Sequence, residues 1–147
     1  MLILGTRNTA IQDLAVGDFI NFGEVYRRYD KRGACGNRAF ELNGTSILLQ
    51  HQGIYHITAV ITFTAGATGD VTFQLLENGV ATSGALVTES VGTADTEVRS
   101  ISFPYLVLVD KACVCGVFGV VAKSLSLVNT GVPATITNVS IAITKVC

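Results

Sequence analysis

The groups in this sequence that could do chemistry are two histidines, four cysteines and a scatter of carboxylates. A histidine serves as general base only when it reaches a nucleophile or a transferable proton. His56 falls on the polar face of a long alternating stretch, and His51 lies in the turn before it. No nucleophile motif accompanies either, so both read as structural or exposed histidines. Cys113 and Cys115 stand two apart, which places their side chains on the same face of one strand. Neither they nor Cys35 and Cys147 form a Cys-x-x-Cys pair, and no histidine lies near enough to complete a metal spacing. They read as buried free thiols made in a reducing cytoplasm. Asp13, Asp18, Asp70, Asp95 and Asp110 fall mostly at turns, where aspartate serves the backbone. No calcium loop and no phosphate-binding glycine motif is present. Glu77, Glu89 and Glu97 are too dispersed to read as a carboxylate pair. The sequence thus assigns no catalytic, metal or cofactor-binding residue, and predicts a protein that is not an enzyme and carries no cofactor.

The element that would position any site is the stretch Gly53-Ile54-Tyr55-His56-Ile57-Thr58-Ala59-Val60-Ile61-Thr62-Phe63-Thr64. Tyr55, Ile57, Ala59, Ile61 and Phe63 share one face. Ile54, His56, Thr58, Val60, Thr62 and Thr64 share the other, which is mostly polar. This is a half-buried strand with period two. A strand this long requires a partner on each edge and a second sheet over its apolar face.

From Arg38 onward nearly every segment reads as strand. Asn43-Gly44 and Asn78-Gly79 mark hairpins. Thr96 to Val109 alternates, with Ile101, Phe103, Tyr105, Val107 and Val109 on one face, and Pro104 marks an edge or a bulge. Cys113 to Val121 is apolar on both faces, as in a strand covered on both sides. The last strand changes parity near Asn138, which predicts a bulge. No amphipathic helix of useful length and no internal repeat appears. About nine strands separated by polar turns predict an all-β fold, a two-sheet antiparallel jelly-roll sandwich over residues 38–147.

Residues 1–37 differ. Asp18 to Tyr26 carries the aromatics Phe19, Phe22 and Tyr26, and Arg27, Arg28, Lys31 and Arg32 follow as the densest charge in the chain. This N-terminal arm reads either as a first strand pair of the domain or as an extension that anchors the protein or contacts a second copy. The second reading makes Phe19, Phe22, Tyr26, Arg27, Arg28, Lys31 and Arg32 the anchor. It also predicts that a chain lacking residues 1–33 stays folded but no longer attaches.

Composition points to association. Charged residues are 14% of the chain, against roughly 25% in an ordinary soluble domain. No apolar run approaches the 18 or so residues of a spanning helix, and no basic n-region followed by an apolar h-region opens the chain. The sequons at Asn43 and Asn138 are discounted for want of a secretion signal. A net charge of −1 gives no broad positive field for nucleic acid or acidic membrane. A surface short of charge is expected to be covered in part by copies of the same chain.

Three motifs carry a family resemblance. Gly53-Ile54-Tyr55 opening the long strand resembles the Gly-x-Tyr signature of the tumour necrosis factor and complement globular-head superfamily. Leu125 to Ile136, a Leu-x-Leu strand followed by Asn129-Thr130-Gly131 and a short apolar strand, is similar to a pattern in its bacterial and phage members. Leu75-Leu76-Glu77-Asn78-Gly79 resembles their central hairpin. The resemblance covers roughly Phe40 to Val146. It implies a jelly roll that trimerises about an apolar axis, with Tyr55, Phe118, Ile141 and Ile143 as axis residues, and binding or scaffolding rather than catalysis. With no collagen-like stalk and no secretion signal, the expected role is a structural protein of a phage virion made in the host cytoplasm. It would be a capsid decoration, head fibre or tail spike component whose partners are itself and a capsid or tail protein. The alternative is a receptor- or carbohydrate-binding module using the loops at Ala65–Asp70 and Gly92–Asp95. A cupin-like enzyme would need a histidine-rich metal cluster, which two histidines do not supply.

Overall fold

The computed structural model describes residues 2–32, 38–94, 96–110 and 122–146. Among these it forms eleven strands and no helix: β1 (Ile3–Asn8), β2 (Gln12–Leu14), β3 (Glu24–Tyr29), β4 (Phe40–Asn43), β5 (Ser46–Leu49), β6 (Gly53–Ala65), β7 (Gly69–Glu77), β8 (Val80–Val91), β9 (Val98–Val109), β10 (Lys123–Asn129) and β11 (Ala134–Lys145). One sheet runs β3-β1-β11-β6-β9, with β2 also on β11; the other runs β4-β5-β10-β7-β8. All pairings are antiparallel. The molecule is the two-sheet jelly-roll sandwich that the alternation predicts.

The long strand β6 has its two partners, β11 on one edge and β9 on the other. Its apolar face, Tyr55 to Phe63, is buried against the second sheet. Aromatic pairs join the sheets near both ends of β6. Phe40 meets Tyr55 edge-on at 5.8 Å between ring centres, and Phe63 meets Phe73 at 5.7 Å. Such contacts add about 0.5–1.5 kcal/mol each beyond the area they bury. The Asn78-Gly79 turn links β7 to β8 with both residues at positive φ, 53° and 78°, the geometry that suits a right-twisted hairpin. Pro104 lies on β9, the outermost described strand of its sheet, where a missing N–H is tolerated. The parity break in β11 is a bulge between Ile136 and Asn138.

The first 32 residues are a strand set of the sandwich, the first of the two readings the arm left open. β1 is hydrogen-bonded to both β11 and β3. Leu4, Leu14, Ile20 and Phe22 are buried in the common core. Residues 17–20 then cross to the second sheet: the Ile20 N–H donates to the Leu127 carbonyl at 2.9 Å, and the Asn129 N–H to that of Asp18 at 2.9 Å. Asn129, fully buried, shapes the turn after β10 beside this crossing. Its side-chain amide donates to the Val132 carbonyl, and its side-chain oxygen accepts from the Gly131 N–H. Among the described residues, β1, β2 and residues 17–22 thus share the core and the hydrogen bonding of the later strands. The apolar run Cys113 to Val121 and all four cysteines lie outside the described residues.

Candidate functional site

A strand pair in register places opposed residues on the same side of the sheet. Along β6 the outward positions are Ile54, His56, Thr58, Val60, Thr62 and Thr64. On β9 they face Leu108, Leu106, Pro104, Ser102, Ser100 and Val98 in turn. On β11 the residues opposite His56, Thr58, Val60 and Thr62 are Thr144, Ala142, Ser140 and Asn138. None of these outward residues is Asp, Glu, Lys or Arg. Leu106 is 58% exposed, Leu108 50% and Val98 65%, so the face offers apolar area as well as hydroxyls. The hydroxyls of Thr62 and Ser100 pair with each other at 3.2 Å.

Charge begins only beyond β11. Arg7 on β1 faces Glu24 on β3 at 3.5 Å and lies over the Tyr26 ring, 5.4 Å from its centre. The ring rests on Gly5, where a Cβ would come within 2.9 Å of it, so a side chain there would push the tyrosine off. At one end of the uncharged face a recess of about 360 Å³ opens between Ile54 and Leu108, with Asp110 and Lys145 at its rim.

The residues expected at an oligomer axis are differently placed. Tyr55, Ile141 and Ile143 point inward and are buried within the single chain. The second sheet already covers them, so the parity available to another copy is the opposite one. Phe118 lies outside the described residues. The anchor set divides likewise. Phe22 is buried in the core, and Phe19 is half-exposed beside Val128 of β10. Tyr26 and Arg27 face outward from β3, and Lys31 and Arg32 follow its end on the surface. Arg28 projects to the other side, opposite Leu4. The outward face of β6 was visible in the alternation, but its threonines and histidine read as a solvated surface. The lack of charge extends over three adjacent strands, and strand order is needed to see it.

His51 lies at the entry to β6. Its carbonyl accepts a 2.6 Å hydrogen bond from the Tyr55 hydroxyl. Among the described residues, no group of three or more His, Cys, Asp or Glu is placed to hold a metal. The 65–70 loop is tied to the turn after β10: the Gly66 N–H donates to the Pro133 carbonyl, and the Val132 N–H to that of Asp70. At the open edge of the sandwich Arg99 reaches both Glu89 of β8 and Glu97. Desolvation pushes the Glu97 carboxyl up, but the hydrogen bond and charge of Arg99 outweigh it and hold Glu97 below the usual carboxylate value.

No family model matches the sequence, and no curated protein matches it. Solved structures do match in shape. The globular domain of zebrafish complement 1qA is similar over 100% of this chain and 98% of its own, with a TM-score of 0.61 and 8% identity. The chain folds as a tumour necrosis factor-like jelly roll. Eiger TNF from S. frugiperda is similar over 99% of this chain and 91% of its own, with a TM-score of 0.60 and 9% identity. PRD1 vertex protein P5 is similar over 99% and 97%, with a TM-score of 0.58 and 17% identity. These likenesses bear out the expected jelly roll, at identities where they speak for fold alone.

Proposed function

We propose that the chain is a non-enzymatic structural protein that works as a homotrimeric head, with the outward face of β11, β6 and β9 turned toward the axis. The observation that carries this is the uncharged face. Three adjacent strands present Leu, Val, Ile, Pro, Thr and Ser without one formal charge, on a surface that would otherwise be solvated. Depletion of charge at the centre of a patch is the compositional mark of a protein–protein interface, and permanent ones are the more apolar class. Light scattering on the purified chain tests it. The expected mass is about three times the 15.5 kDa of one chain, and a monomer at micromolar concentration overturns the reading.

The finer role proposed is a virion component, a decoration, head fibre or tail spike of a phage, assembled in the host cytoplasm. The likeness to PRD1 vertex protein P5 over nearly the whole of both chains supports this assignment. Its attachment to a capsid or tail protein would use the edge beyond β11, where Tyr26, Arg27, Lys31 and Arg32 present aromatic and basic groups to an acidic partner surface. Replacing Arg27, Lys31 and Arg32 together by Glu should abolish co-sedimentation with particles while the trimer persists. Unchanged co-sedimentation rejects this edge as the anchor.

A further inference from the structure

Among the described outward residues of β11, β6 and β9, His56 is the one titratable side chain, and its neighbours decide what protonation would do. On β9 it faces Leu106, with Pro104 and Leu108 diagonal to it. On β11 it faces Thr144, with Ala142 diagonal. On its own strand Ile54 and Thr58 are the next outward residues. Continuing the same row across the sheet, Thr144 is opposite Ile3 of β1, and Ile3 is opposite Tyr29 of β3. Arg27 stands opposite Gly5 in the adjoining row. Asp110 and Lys145 sit at the rim of the recess beside Ile54 and Leu108. The groups around the imidazole are thus apolar or neutral hydroxyls. Among the described residues at this end the one carboxylate is that of Asp110, which lines the recess together with Lys145.

We infer that His56 makes self-association through this face acid-sensitive, so that the assembly holds at neutral pH and comes apart under mild acid. The inference rests on the proposed self-association through this same face. In the separate chain His56 is exposed and water solvates either protonation state. Covering the face removes that water and supplies no carboxylate in return, which penalises the charged imidazolium. Residues beside a threefold axis meet their own equivalents from the other copies, so with this face turned to the axis each copy adds a cation to a low-dielectric contact. Association therefore selects the neutral imidazole.

The test is light scattering of the full chain at about pH 8 and about pH 5.5, values that bracket the histidine range. Circular dichroism at both confirms that the fold persists. The wild type should fall threefold in mass at the lower pH. His56→Gln, which keeps a polar neutral side chain, should keep the full mass at both, and His51→Gln should behave as wild type. A wild-type assembly of undiminished mass at about pH 5.5 overturns the inference while leaving self-association intact. Dissociation of His56→Gln alongside the wild type also overturns it. A wild-type monomer already at about pH 8 instead overturns the underlying self-association.

Discussion

The Tyr55 hydroxyl donates a 2.6 Å hydrogen bond to the carbonyl oxygen of His51, four residues earlier, and so fastens the start of β6 to the turn that feeds it. The ring is fully buried and packs edge-on against Phe40. Burial pushes the phenol up from 10.0 to about 12. Tyr55→Phe keeps the ring contacts and removes only the hydroxyl, so it should cost about 1 kcal/mol. Because the folded state holds the phenol proton more tightly than the unfolded chain, the contribution is whole below pH 10.0 and is lost as pH rises toward about 12. Urea titrations across this range should show wild-type stability declining more steeply than that of Tyr55→Phe. Parallel curves would mean that the phenol does not govern the alkaline limb.

Much of the fold was legible because period-two alternation and turn chemistry are local. β6 shows both faces in its own sequence, Asn78-Gly79 announces its hairpin, and the parity change near Asn138 announces its bulge. The N-terminal strands were less legible. β1 carries Gly5 in its interior, which weakens the strand signal. Thr6 is buried where it stands opposite Ile141 in the register of β1 with β11. The candidate face needed still more. The family resemblance put Tyr55 and Ile143 at an oligomer axis, but both are buried beneath the second sheet, as the alternation of β6 implies for Tyr55. The uncharged face is assembled from three strands separated by tens of residues, so no single stretch of sequence displays it.

Gly131 separates two backbone segments that nearly touch. A Cβ built there would stand 2.2 Å from the Asp70 carbonyl oxygen and 2.6 Å from the Thr72 nitrogen. Both atoms are main chain and neither can swing aside. Gly131→Ala should therefore cost about 3 kcal/mol, the penalty of forcing a Cβ against main-chain atoms. At Gly92 a Cβ meets nothing within 4 Å, and Gly92→Ala should stay within about 0.5 kcal/mol of wild type. Thermal melts of the two variants check the contrast, and equal midpoints would show that the Gly131 turn relaxes freely.

The N-terminal strands should prove indispensable to folding, against the expectation that they form a detachable arm. Removing residues 2–32 takes Leu4, Leu14, Ile20 and Phe22 out of the core and leaves one edge of β11 bare. Each such side chain contributes about 1.5–3 kcal/mol by burial, and together they rival the 5–15 or so kcal/mol that hold a domain folded. The truncated chain should lack a cooperative melt. A truncated chain that melts cooperatively near the wild-type midpoint would restore the detachable arm.

Thr58 stands mid-face between Pro104 of β9 and Ala142 of β11, with no carboxylate among its outward neighbours. A lysine at this position is harmless to the separate chain, because its ammonium projects into water and its stem lies along the sheet. In an assembly that covers the face, the same ammonium loses its water without gaining a partner, at a cost of several kcal/mol per ion, and every copy bears that cost. Thr58→Lys should accordingly reduce the mass in solution to that of one chain while the circular dichroism spectrum stays that of wild type. Leu127→Ala makes the opposite separation. Leu127 is buried between the sheets, far from the outward face; its loss should lower stability by about 2–5 kcal/mol and leave the mass threefold. If Thr58→Lys keeps the threefold mass, the copies meet through some other surface, and the absence of charge across β11, β6 and β9 then has a different cause.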